Sequence, residues 1–156
     1  MGLVKISVED RLLVHELLAR YAHAVDLGDA DTYGETFAED GTLRITFNNN
    51  ELKGIDGGRW TGRKVIRDYM ADTWIDTKLL YHQLHFNTNI VIVDAGADWC
   101  NVQSYSMIAE NISDEQQIVR HLGLYKDICV KIDGQWYFKD RSYTEWVPAD
   151  KKQFWF

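Results

Sequence analysis

The second half of the chain carries four long β-forming runs in close succession, His82–Val93, Asp98–Glu110, Gln117–Ile132 and Gln135–Val147. No other feature restricts the fold as strongly, because runs joined by such short connections pair antiparallel. Asp133-Gly134 between the last two is the strongest hairpin signal in the chain, since both residues tolerate positive φ. Asp94-Ala95-Gly96-Ala97 and the segment from Asn111 to Glu115 form the other turns. Strands of this length bend, so bulges are expected along them.

The first half has helical periodicity. Ser7 is placed as an N-cap, with Glu9 and Asp10 in the first turn where carboxylates favour the helix dipole. Leu13, Leu17, Tyr21 and Val25 recur at helical spacing, and Leu18 and Ala22 widen the stripe. Gly28 stops this helix, and Asp29 caps a second one, Ala30 to Ala38, with Tyr33 and Phe37 one turn apart. Glu39-Asp40-Gly41 reads as a turn and Thr42 to Phe47 as a half-buried strand. A loop from Asn48 to Gly58 leads to a short strand, Arg59-Trp60-Thr61, and Gly62 precedes a third helix with Ile66, Tyr69, Met70 and Trp74 on its buried side. Three helices on the concave face of a curved, mixed or antiparallel sheet make an α+β cone, open at one end. The interior of such a cone suits a small molecule.

The chain has 156 residues, 46% of them hydrophobic, which suits one domain over residues 1–156 with one sizeable core. Residues 148–156 form a tail whose terminal Phe154-Trp155-Phe156 is expected to dock over the pocket mouth or on a neighbouring subunit. The formal net charge is −7, and no Lys/Arg cluster exceeds Lys151-Lys152. Nucleic acid and anionic membranes select for basic patches, so neither is an expected partner. No apolar run reaches the ~18 residues that span a bilayer, and no leader is evident, so a cytoplasmic location is expected. Cys100 and Cys129 lie alone on their strands and read as free thiols, with no metal site. Aromatics at 13% fit a ring-lined pocket, and packing alone also explains them.

Asp26 continues the row Leu18, Ala22 at four-residue spacing, so its carboxylate projects from the apolar face of the first helix. Burial and the helix dipole both disfavour its charge there. It needs a partner, unless the helix frays early and Asp26 only bonds the turn at Leu27-Gly28. On the first long strand His85, Asn87 and Asn89 share one face, and Leu84, Phe86, Ile90 and Ile92 share the other. If the apolar set packs on the helices, His85 and Asn89 look into the same cavity, and a bulge would move some of these residues across.

Several segments together resemble the SnoaL-like branch of the NTF2-like superfamily. They are Arg20 to Asp29, Phe37-Ala38-Glu39-Asp40-Gly41, Trp60-Thr61-Gly62-Arg63, His85 with Asn89, and Asp133 to Phe138 followed by Arg141. Within that branch the pattern is similar to scytalone dehydratase, bile acid 7α-dehydratase and hexachlorocyclohexane dehydrochlorinase. The resemblance implies a cone-shaped barrel and a cofactor-independent lyase that assembles as a trimer or dimer and acts on a small hydrophobic cyclic substrate. It implies a His–Asp dyad at His85 and Asp26, an aromatic hydroxyl at Tyr21 and an arginine at Arg141. His121 loosely matches a second pocket histidine. The superfamily also holds isomerases, polyketide cyclases and non-catalytic subunits, so fold alone does not establish catalysis.

A carboxylate on one ring nitrogen of His85 would fix its tautomer and leave the other nitrogen as a base. Tyr21 or Arg141 would then receive the negative charge that develops in an elimination. The same apparatus serves an isomerase or a cyclase, and a ligand-binding protein needs none of it. His121, Asn89, Trp60 and Tyr105 are the candidate substrate contacts. Against these readings, a strand histidine is often structural and Tyr21 can be core. Arg141 shares strand parity with Tyr137, Lys139 and Tyr143, so a solvated face is its competing reading.

Overall fold

A computed structural model describes residues 4–46, 58–76, 83–113 and 116–146. The expected loop from Asn48 lies outside the described residues up to Gly57, as do His82, Val147, the 148–156 tail and the side chain of Trp74. Among the described residues the order is α1 (Val8–Leu27), α2 (Ala30–Glu35), β1 (Phe37–Thr46), β2 (Arg59–Thr61), α3 (Arg63–Asp76), β3 (Gln83–Ala95), β4 (Trp99–Ser113), β5 (Gln116–Ile132) and β6 (Gln135–Glu145). The strands form one sheet in the order β2-β1-β6-β5-β4-β3. Every pairing is antiparallel except β1 with β6. The sheet is open, with β2 and β3 at its edges. No described helix is long and apolar enough to cross a membrane.

Local chemistry sets the helix ends. Ser7 accepts the Asp10 N–H at 3.0 Å. Gly28 at φ 70° donates back to the carbonyls of Ala24 and Val25, a left-handed stop that costs glycine little. Asp10 also accepts from Trp136 Nε1 and Lys131 Nζ, tying the first turn of α1 to the β5–β6 hairpin. These bonds hold its carboxyl down at about 2, with Lys131 the largest contribution, then Trp136 and Ser7. That hairpin turns at Asp133 and Gly134, both at positive φ, as their dipeptide demands.

The buried row of α1 runs through Val14, Leu17, Leu18, Tyr21 and Val25. Leu13 is exposed, because the row that faces the sheet starts one residue later. The second helix is shorter than its sequence suggests. It ends at Glu35, and Phe37 already pairs with Phe138 on β6. Glu39-Asp40-Gly41, expected as a turn, lies within β1. From Phe37 to Thr42 the strand advances five residues while β6 advances two, from Phe138 to Asp140. The three extra residues bulge out, so the turn chemistry is spent inside a strand.

One cluster of buried residues joins the three helices to the sheet, with Tyr21, Tyr33, Phe37, Phe138, Tyr125 and Tyr143 at its centre. Cys100 and Cys129, isolated in sequence, face each other across β4 and β5 as buried free thiols.

Candidate active site

The helix-facing side of the sheet is unusually polar. On β3 the inner residues Gln83, His85 and Asn87 look toward α1, and Leu84 and Phe86 lie exposed on the outer face. The sequence parity is correct, but the polar set meets the helix, not the apolar one. Beyond Thr88 a bulge at Asn89, φ 52°, switches the strand, and Ile92 becomes buried. Asn89 is therefore exposed at the bulge and does not share the cavity of His85.

Asp26 sits in the last turn of α1 and reaches this strand. Its Oδ1 lies 2.7 Å from His85 Nδ1, and both oxygens accept the His85 main-chain N–H at 3.1 Å. β3 is an edge strand, so that N–H has no neighbouring strand to pair with, and the carboxylate satisfies it. One acidic side chain thus docks the helix, caps the sheet edge and fixes the imidazole ring. The two side chains are only 12% and 14% exposed.

His85 separates two spaces. An outer cleft of about 360 Å³ runs between α1 and β3 past Asp26, His23 and Phe86. An inner cavity of about 230 Å³ is lined by Tyr21, Tyr33, Tyr69, Tyr125, Tyr143 and His121, among others. His85 is the one residue common to both. With Nδ1 held by Asp26, Nε2 is the nitrogen left for chemistry.

Tyr21 and Tyr33 share a buried hydrogen bond, hydroxyl to hydroxyl at 2.9 Å. Burial pushes both phenols well above their usual range; for Tyr21 the charge of Arg141 works in the opposite direction. Tyr143 reaches the cavity across Gly123, where an added Cβ would stand 2.3 Å from its ring. His121 Nδ1 lies 2.7 Å from Glu145 Oε1, a second imidazole–carboxylate pair on the same cavity.

Arg141 corrects the parity argument. Pairing passes from Ile128↔Asp140 to Cys129↔Phe138, so Lys139 is an extra residue on β6. Trp136 and Phe138 point inward before this bulge, and Arg141, Tyr143 and Glu145 after it. Arg141 is fully buried and paired with Asp127 at 2.7 Å. Its guanidinium stacks on the rings of Tyr125, Tyr21 and Phe138 at 3.7, 4.0 and 4.4 Å. It lies behind the wall of the cavity, so it acts on a ligand only through those rings. Burial lifts the Asp127 carboxyl to about 7, with Arg141 pulling it down. Burial also works against the Arg141 charge, and Asp127 together with the Tyr125, Tyr21 and Tyr33 phenols offsets it.

Two further expectations change. Trp60 is buried and stacks on Tyr69 at 3.8 Å, so it backs a cavity residue and does not line the cavity itself. Tyr105 is exposed on the outer face, opposite Thr88 and Leu124. The sequence reading also missed Tyr33, Tyr69, Tyr125, Tyr143 and Glu145. Tyr125 was within reach, since it shares parity with His121 on β5. Glu145 was hidden by the β6 bulge.

An open mixed sheet covered on one face by three helices, with a tyrosine-lined cavity between, is the cystatin-like or NTF2-like architecture. The SnoaL-like domain family matches residues 7–142, and the chain belongs to that family. Solved structures share the fold at low identity. A Nostoc punctiforme protein of unknown function with a cystatin-like fold is 23% identical over 94% of this chain and 97% of its own, with TM-score 0.74. A Novosphingobium aromaticivorans protein provisionally named scytalone dehydratase is 20% identical over 90% and 86%, with TM-score 0.70. LinA is 20% identical over 90% and 88%, with TM-score 0.71. No curated protein matches the sequence.

Proposed function

We propose that this chain is a cofactor-independent lyase that eliminates water or halide from a small, hydrophobic cyclic substrate. The observation that carries the reading is the 2.7 Å contact of Asp26 with His85 Nδ1, made where His85 borders a buried, tyrosine-lined cavity. In this reading His85 Nε2 removes a proton next to an electron-withdrawing group. Asp26 holds the tautomer and stabilises the imidazolium that forms, the role an orienting carboxylate has in other His–Asp pairs. The hydroxyls of Tyr21 and Tyr33, already hydrogen-bonded to each other, are donors for the oxygen that gains negative charge. Arg141 strengthens Tyr21 as a donor from behind its ring. The name of the scytalone dehydratase-like neighbour fits the elimination of water.

The test is a screen of cyclic β-hydroxy and β-halo carbonyl compounds with the wild type, His85→Ala and Asp26→Asn. A base of this kind contributes on the order of 10² to 10⁴ in rate. Losses of that size in His85→Ala, with a smaller loss in Asp26→Asn, are expected. Turnover unchanged in both variants would refute the mechanism.

We also propose that the chain self-associates through the outer face of its sheet and works in a reducing compartment such as the cytoplasm. Phe86, Met107 and Leu122 lie side by side across β3, β4 and β5, with Phe86 and Leu122 exposed. An apolar strip of this kind on a sheet face is suited to association. The opposed thiols of Cys100 and Cys129, both free, fit a reducing environment.

A further inference from the structure

His85 borders two spaces, and the proposed chemistry uses only the inner one. The outer cleft is the larger, about 360 Å³, a volume within the range of small-molecule sites. Its walls include apolar side chains from two elements, Leu18, Ala19 and Ala22 on α1 and Ile90 on β3. Its charge has one sign. Among the described residues that line it, Asp26 is the one carboxylate and none is Lys or Arg, the other titratable groups being His15, His23 and His85. Asp26 does not line the inner cavity.

The Asp26 carboxylate keeps unused capacity. Its Oδ1 accepts from His85 Nδ1 and from the His85 main-chain N–H, whereas its Oδ2 accepts only from that same N–H. An ionised carboxylate has about four acceptor positions, so Oδ2 has room for a further donor. The last turn of α1 carries no basic residue, although the carbonyl end of a helix favours a cation. Asn87 adds a second acceptor to the lining. Its Nδ2 donates to the Leu18 carbonyl, and its buried Oδ1 has no partner.

We propose that the outer cleft is a binding site for a small organic cation, an ammonium carried on an apolar ring. The N–H donors lie on Asp26 Oδ2 and the ring lies between α1 and β3. An inorganic cation would leave the apolar walls unused, and no group of three or more metal-binding side chains occurs among the described residues. An anion would meet Asp26 and find no lysine or arginine to offset it. An apolar cavity of about 150 Å³ holds one benzene ring, so the cleft takes a body of about one or two rings. The site lies outside the inner cavity and does not rest on the lyase reading. It meets that reading at one side chain, because the carboxylate that holds the ammonium also orients the imidazole. A bound amine is therefore felt by His85 without entering the inner cavity.

Benzylamine, benzyl alcohol and benzoate share one ring and differ in charge. Each is titrated at neutral pH into the isotope-labelled full chain, and the amide and histidine-ring NMR signals are followed. Benzylamine is expected to bind saturably and to move the amide signals of Ala19, Ala22, His23 and Ile90 and the ring signals of His85. Benzyl alcohol should bind on the order of 10-fold more weakly, because a charged hydrogen bond exceeds a neutral one by about that factor. Benzoate should not bind. Asp26→Asn should bring benzylamine down to the level of benzyl alcohol and leave the alcohol within about 3-fold, which also reports that the variant is folded. Ala19→Trp and Thr88→Trp fill the cleft from exposed positions on its two walls. Each should abolish binding with the remaining amide spectrum intact. Equal affinity for the amine and the alcohol, or binding of benzoate, overturns the cation assignment. Benzylamine that moves Tyr69 and Met70 instead, leaves the His85 ring signals unmoved, or still binds both tryptophan variants overturns the location. Absence of any saturable shift overturns the site itself, and the elimination assays of His85→Ala and Asp26→Asn then decide the lyase reading separately.

Discussion

The hydroxyl pair of Tyr21 and Tyr33 offers a direct measure of how tightly the cavity wall is built. Tyr33 is fully buried and Tyr21 only 4% exposed, and their oxygens are 2.9 Å apart. Both phenols stay neutral at working pH because burial raises them, so the interaction is a neutral hydrogen bond without a salt term. Tyr21→Phe deletes one partner and leaves the Tyr33 hydroxyl orphaned in the core, at a cost of about 1–3 kcal/mol. Tyr33→Phe acts in the same way on Tyr21, and somewhat less because the Arg141 guanidinium lies beside that ring. The double variant removes both hydroxyls and keeps both rings, which is close to neutral. With two singles of about 1–3 kcal/mol each and a near-neutral double, the double-mutant cycle should show a coupling of about 2–6 kcal/mol, with the double variant more stable than the sum of the singles implies. Unfolding entropy near 2.1 cal/mol/K per residue over 156 residues gives about 0.33 kcal/mol/K, so each single should lower Tm by about 3–9 °C. Urea unfolding followed by tryptophan fluorescence measures the cycle, provided the m-values agree. Single effects that add to the double within about 0.5 kcal/mol would refute the pairing.

Two further outcomes follow from the core and the outer face. Burial sets the folded-state Asp127 carboxyl at about 7, above the unfolded value near 3.9. The native chain then holds a proton that the unfolded chain has released, and this contribution to stability declines as pH rises from about 4 to about 7. Asp127→Asn should flatten that part of the stability profile, and an unchanged slope would count against the assignment. On the outer face, Phe86→Lys should convert an oligomer to monomer in sedimentation velocity, with the fold intact by circular dichroism. A wild type that sediments as a monomer at all concentrations would exclude the interface.

The α+β architecture was legible because its signals are local. Asp133-Gly134 specifies the hairpin, Gly28 stops α1, and the four long runs in the second half admit little besides antiparallel pairing. Asp26 was legible as well, since a carboxylate in the apolar row of a helix needs a partner. Residues downstream of bulges were not. Asn89 and Arg141 each sit at or past an extra residue that flips strand parity, and a two-residue period carries no warning of it. Arg141 was expected at the site or in solvent and is instead buried behind Tyr21 and Tyr125. The early end of α2 was masked because Phe37 and Ala38 suit a helix stripe as well as a strand. Only the parallel pairing with β6, a contact a hundred residues away in the chain by order of magnitude, decides between them.

The bond from Asp26 to the His85 main-chain N–H has an implication for the health of the folded chain as well as for its chemistry. β3 is the open end of the sheet, where a free N–H invites another strand to add on. Losing the Asp26 carboxylate would uncover that donor next to the exposed apolar side chains of Leu84 and Phe86. A lesion that disables the proposed base would thus also create a sticky edge. Protection from intermolecular strand addition and the positioning of the imidazole are one constraint on one residue.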